Sequence, residues 1–133
     1  MRHNYEAHTP TREEYILSAI GECVVADALG IDWHPGNDKG EHESVGGYEV
    51  RTRPHRGDEL IIRPEDSDEA TFVLVTPFSE LMYNLIGTIT GFDAKQPRWW
   101  RTDGTEGSGW FVPQSALQPV IEENFKSNLS VSD

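Results

Sequence analysis

The chain has 133 residues, a formal net charge of −12 and 36% hydrophobic residues, among them four Trp, five Phe and four Tyr. This length predicts one domain, residues 1–133, with flexible ends at about 1–9 and 124–133, and the composition is rich enough for a core without disulfides or structural metal. The acidity argues against a protein that coats nucleic acid non-specifically. No run approaches the roughly 20 apolar residues of a membrane span, and Met1-Arg2-His3-Asn4-Tyr5-Glu6 lacks the apolar stretch of a secretory signal, so a cytoplasmic protein with no membrane partner is expected.

Residues 11–29 predict a helix, begun by a capping-box pattern of Thr11 with Glu14 and ended by Gly30. Ile16, Ala19, Ile20, Cys23, Val24 and Asp27 follow helical spacing, which predicts that this side packs on a sheet and that Cys23 is a buried thiol. Rotation by about 100° per residue places Glu22 beside Tyr15, Ala26 and Leu29, at the flank of that side. The stretch from Asp32 to Glu43 is rich in turn formers, and its spacing matches neither a zinc site nor an EF-hand.

Ser44 to Arg53 puts charged side chains inside a segment that otherwise has the pattern of a strand. Alternation along an extended chain sends Glu49, Arg51 and Arg53 to one face and Tyr48, Val50 and Thr52 to the other. Glu49 and Arg51 then stand about 7 Å apart, two strand rises, near enough for a carboxylate to hold a metal while its cationic neighbour steadies an anion. The plainer alternative is an edge strand with a solvated, charged face. Arg51, Arg53, Arg56 and Arg63 form one basic group and Lys95, Arg98 and Arg101 another, so a local anion site survives the global charge if the two share a face.

Residues 59–63 predict a short strand stopped by Pro64 and the acidic turn after it, and residues 71–76 a strand buried on both sides and ended by Pro77. A further strand is expected within 82–92, where Gly87 and Gly91 suggest a bulge or a close backbone approach. Lys95 to Thr102 mixes two indoles with three cations; Arg98, Trp99 and Arg101 there suggest nucleic-acid contact, with a Trp capping the end of the core as the alternative. Trp110-Phe111-Val112 predicts a strand, and Pro113 fits the first position of a short helix through Leu117. No P-loop, dinucleotide fingerprint, H-E-x-x-H pair or G-x-S-x-G elbow is present.

The run Val45-Gly46-Gly47-Tyr48-Glu49-Val50-Arg51, followed by Leu60-Ile61-Ile62-Arg63-Pro64 and Phe72-Val73-Leu74-Val75, resembles small phage and bacterial proteins related to the PD-(D/E)XK nuclease superfamily. In that superfamily an acidic residue precedes a strand bearing Glu-x-Lys. The resemblance covers most of residues 15–120 and includes Gly91-Phe92-Asp93-Ala94-Lys95. It implies a restriction-endonuclease-like core, Mg²⁺ or Mn²⁺ held by Glu43 and Glu49, Glu22 joining the acidic cluster from the first helix, and charge stabilisation by Arg51 or Lys95. DNA would be the partner, with Arg53, Arg56, Arg98, Trp99 and Arg101 contacting it. Two positions depart from the pattern. Ser44 stands where relatives carry Asp, so either Glu43 substitutes with a longer arm or the first ligand is missing. Arg51 stands where Lys is usual, and a guanidinium stabilises anionic charge but does not accept a proton from water.

The expected fold is α/β (α+β): an N-terminal helix on a mixed, mainly antiparallel sheet of five to six strands, with a short C-terminal helix. The expected function is a metal-dependent DNA nuclease of phage type. The alternatives are a catalytically degenerate acidic protein needing no cofactor, which inhibits a host protein or mimics DNA, and a virion-associated structural protein, which a homodimer in solution would favour.

Overall fold

The computed structural model describes residues 11–33, 44–102 and 104–120. Helix α1 spans Arg12–Leu29. Its start is a reciprocal cap, in which the Glu14 main-chain N–H donates to Thr11 Oγ1 at 3.1 Å and the Thr11 N–H donates to Glu14 Oε1 at 3.0 Å. Its end is set by Gly30 at φ 74°, a left-handed conformation that glycine adopts without a Cβ penalty, while the Ile31 N–H reaches back to the Ala26 carbonyl.

The face that α1 buries is not the expected one. Gly21, Glu22, Val25, Ala26 and Leu29 are buried, whereas Ile16, Cys23 and Asp27 are exposed. The buried side lies roughly half a turn around the helix from the stripe Ile16, Ala19, Ile20, Cys23, Val24 and Asp27. Close approach explains the choice. Gly21 rests directly on Thr52, and an added Cβ would collide with Thr52 Oγ1 and lie 3.0 Å from its Cβ. With apolar residues on both sides of the helix, the side without bulk against the strand is the one that packs.

Six strands follow among the described residues: β1 Tyr48–Thr52, β2 Leu60–Ile62, β3 Thr71–Ser79, β4 Met82–Thr90, β5 Trp100–Arg101 and β6 Gly109–Val112. They form two three-stranded sheets, ordered β1-β3-β4 and β2-β6-β5, in place of the single larger sheet expected. β1 is parallel to β3, pairing Tyr48 with Thr71 through Thr52 with Val75, so a crossover must join them, and that crossover supplies β2 to the second sheet. β3 pairs antiparallel with β4, with Ile86 bulged out between the Leu74–Gly87 and Val75–Leu85 pairs. β3 runs through Pro77. Beyond Val75 it has lost β1 and offers an edge, where a missing N–H breaks no second ladder.

Alternation along β3 divides the interior. Val73 and Val75 join Val25, Ala26, Leu29, Tyr48 and Val50 under α1, while Phe72 and Leu74 join Leu60, Ile62, Val112 and Leu117 on the other face. The result is helix, mixed sheet and antiparallel sheet in layers, an α+β arrangement. After β4, the short helix α2, Gly91–Ala94, is capped by Thr90, and Pro97–Trp99 makes one 3₁₀ turn. The expected C-terminal helix is a single 3₁₀ turn, Gln114–Ala116. Its continuation is pre-empted because Gln118 bridges Thr88, exchanging N–H to O bonds of 2.8 and 2.9 Å, where Gly87 leaves no room for a Cβ.

The Gly21 contact makes one prediction. Gly21→Ala gains about 1 kcal/mol of helix propensity but forces α1 away from β1. It is expected to be less damaging in a Thr52→Ala background than alone, with a coupling above about 0.5 kcal/mol by urea denaturation of the four proteins. Additivity of the two changes would contradict this packing.

Candidate functional site

The two faces of β1 differ in chemistry as well as direction. Tyr48 and Val50 are buried under α1, while Glu49 and Arg51 are half-buried on the opposite face. Glu49 has no hydrogen-bond or ion-pair partner among the described residues. Arg51 is tied to Asp66 by a fork, Nη1 to Oδ2 at 3.1 Å and Nη2 to Oδ1 at 2.9 Å, and its guanidinium lies 4.8 Å from the centre of the Phe72 ring. A planar fork of this type fixes direction as well as charge.

Asp66 belongs to a tight turn after β2. Its N–H donates to the Arg63 carbonyl at 3.0 Å, and its Oδ2 accepts the Arg63 N–H at 2.7 Å. Pro64 at the second position suits such a turn. Burial by itself would raise the Asp66 pKa, but the Arg51 hydrogen bonds, the Arg63 N–H and the charges of Arg51 and Lys95 outweigh it, so the carboxyl titrates below its ordinary value of 3.8.

Lys95 arrives at the same turn from α2. Its Nζ donates to the Asp66 carbonyl at 2.6 Å and the Pro64 carbonyl at 3.4 Å, and pairs with Asp68 Oδ1 at 2.7 Å. Because the Asp68 side chain is 57% exposed, this pair is a surface interaction worth no more than about 1 kcal/mol, which an incoming anion can displace. Arg51 and Lys95, far apart in sequence, thus grip one acidic turn beside Glu49.

The remaining residues of the expected acidic cluster are placed differently. Glu22 is buried on the side of α1 that packs on β1, next to the Gly21–Thr52 contact, so it approaches β1 from the face opposite Glu49. Glu43 lies outside the described residues. Among the described residues no group of three or more His, Cys, Asp or Glu side chains is placed to share a metal ion. Asp66 is engaged by Arg51 and Arg63 and Asp68 by Lys95, and the described donors do not by themselves complete a divalent-cation site.

The residues expected to touch DNA do not form one free basic surface. Arg53 donates from Nε to the Glu59 carbonyl at 2.9 Å and pairs with Glu106 at 3.0 Å, while Arg101 makes a fork to Glu59 with both contacts at 2.9 Å. These side chains line a groove of about 530 Å³ in which charges are largely matched. Arg56 turns to the hairpin end, donating to the Phe78 carbonyl at 2.8 Å. Arg98 lies 4.5 Å from the Trp99 ring centre and has no carboxylate partner among the described residues. Trp99 is half-buried against the core cluster that holds Phe72 and Leu74, as the capping alternative anticipated.

Two features were missed from the sequence. Asp66 is one of five acidic residues between Glu65 and Glu80, and only the fold singles it out. The other is an apolar slot of about 420 Å³ walled by Pro64, Lys95, Pro97, Trp100 and Trp110. Trp100 and Trp110 face each other across β5 and β6, with ring centroids 4.7 Å apart and planes at 61°. The signal was there: two Trp flanking a Gly-rich turn are an aromatic cross-strand pair once the hairpin is recognised. Compared with family models, curated proteins and solved structures, the chain matches none.

Proposed function

We propose that the chain is a phage-type PD-(D/E)XK-like protein that hydrolyses DNA phosphodiesters with Mg²⁺ or Mn²⁺ in the cytoplasm of the host. The observation that carries this reading is the convergence of Arg51 and Lys95 on one turn beside Glu49, whose carboxylate has no partner among the described residues. In this reading α1 and the mixed sheet β1-β3-β4 are a restriction-endonuclease-like core. Glu49, with Glu43 from outside the described residues, would supply the hard oxygen ligands that such a cation prefers. A divalent ion held by these carboxylates would supply activation of a water and polarisation of the phosphate. Arg51, locked in direction by Asp66, faces the developing negative charge but accepts no proton. Lys95 adds a second cation on a pair weak enough to exchange Asp68 for phosphate.

Glu49→Gln keeps the shape of the side chain and removes its charge. Plasmid and branched DNA are the substrates to use, with Mg²⁺ or Mn²⁺, comparing this variant with the parent. Cutting is expected to fall by more than the about 10- to 100-fold that loss of an outer-sphere partner costs. Absence of cutting by the parent at high enzyme with both ions would refute the nuclease reading.

A second reading has its own support. The net charge is −12, and Arg51, Arg53, Lys95 and Arg101 each have a carboxylate partner. An acidic binding protein, acting as a DNA mimic or an inhibitor of a basic host protein, needs no free cationic cleft. It expects no cutting by either protein, and competition with DNA for a basic partner that weakens as salt rises.

A further inference from the structure

We propose that the slot lined by Pro64, Lys95, Pro97, Trp100 and Trp110 holds an unpaired nucleobase stacked on the exposed side of Trp100, and hence that the substrate is DNA with a single-stranded or unstacked segment. This rests on the nucleic-acid reading above and names the part of the substrate its site would grip. The slot volume of about 420 Å³ falls within the range of about 300–1,000 Å³ found for small-ligand sites. Its walls are the two indoles and two prolines, flat or rigid surfaces that stack on a ring at little entropic cost. Trp100 is 38% exposed, so a ring entering from solvent has a face to cover.

Charge selects the occupant. Among the described residues the ionisable wall is Lys95, whose Nζ lies 5.4 Å from the Trp110 ring centre. Arg98 sits in the Pro97–Trp99 turn with no carboxylate partner among the described residues. Lys95 is paired with Asp68 at 2.7 Å, a surface pair that a phosphate can displace, so an apolar slot with Lys95 in its wall and Arg98 in the adjoining turn matches a base carrying its phosphate. A proline-rich peptide would use the indoles and prolines but offers no anion to Lys95 or Arg98. Lys95 also contacts the turn that holds Arg51, which joins the slot to the candidate site.

The test measures binding apart from cleavage. Glu49→Gln protein in EDTA is titrated with a ten-residue oligothymidylate, the same strand with abasic sites, the corresponding duplex, and a proline-rich decapeptide, following Trp fluorescence. The oligothymidylate is expected to quench emission and to bind at least about tenfold more tightly than the abasic strand or the duplex. In Trp100→Ala its affinity is expected to fall about tenfold or more with the circular dichroism spectrum unchanged, whereas Leu81→Ala, in the turn between β3 and β4, leaves it unaltered. Equal binding of intact and abasic strands, unchanged affinity in Trp100→Ala, or quenching by the peptide and not by DNA would each overturn the assignment. Because neither metal nor cleavage enters the measurement, a chain that binds here and never cuts refutes the nuclease reading while leaving the slot assigned.

Discussion

Gly91→Ala is expected to destabilise the protein by about 3 kcal/mol, the upper end of what overpacking costs, and to loosen the site around Lys95. A Cβ on Gly91 would run into the Ser67 carbonyl oxygen and lie 3.0 Å from both the Ser67 carbonyl carbon and Asp68 Cα. All three are main-chain atoms, so no rotamer change relieves the overlap. The strand end and the turn must part, and two bonds span that junction: Gly91 N–H to the Ala70 carbonyl at 2.9 Å and Phe92 N–H to the Asp68 carbonyl at 2.8 Å. The consequence reaches the candidate site because Gly91 opens α2, and α2 leads directly into Lys95. Urea denaturation gives the stability, and Trp emission reports whether Lys95 has left the Trp110 face. Gly57→Ala is the control, since nothing lies within 4 Å of its added Cβ, and it is expected to change stability by less than about 0.5 kcal/mol. Similar losses in the two variants would mean that the α2 junction is not close-packed.

Features set by local chemistry were readable from the sequence, and features set by which surfaces meet were not. The bounds of α1 follow from Thr11, Glu14 and Gly30, which act within a few residues of themselves, and both ends fall where expected. The double burial of β3 follows from an unbroken apolar run, and the tightness at Gly87 and Gly91 from the absence of side chains in a strand-like segment. The face of α1 was misread because apolarity was weighed without the contact distance, which Gly21 and Ala26 make short. The end of β3 was misplaced because a proline stops a strand only where it has a neighbour to bond on that side. The division of six strands into two sheets depends on a parallel crossover between β1 and β3 that no local signal encodes.

The site divides in the same way. Strand alternation put Glu49 and Arg51 on one face, as found, and the basic clusters were visible as composition. Their meaning changed once the fold supplied partners: Arg53 and Arg101 meet across Glu59 and Glu106, and Arg56 leaves for the hairpin end. Counting cations along the chain overstates a basic surface when carboxylates from distant segments fold onto it.

Asp66→Asn carries the second large expected effect, about 2 kcal/mol at neutral pH. Asn retains one oxygen for Arg51 or Arg63 but not the charge, and Arg51, whose side chain is 26% exposed, is left half-buried without a counter-ion. The sign of the pH dependence follows from the lowered carboxyl pKa. A group whose folded pKa lies below its unfolded value of 3.8 adds stability above 3.8, and that contribution is lost as pH falls through 3.8 toward the folded value. The parent is therefore expected to exceed Asp66→Asn by a constant margin from about pH 5 to 8, and the margin to shrink below 3.8 as the carboxyl protonates. The difference between the two proteins is the informative quantity, measured by urea denaturation at stepped pH. A margin independent of pH down to about 2.5 would show that the variant lost packing and not an ion pair, and the fork that aims Arg51 would lose its energetic basis.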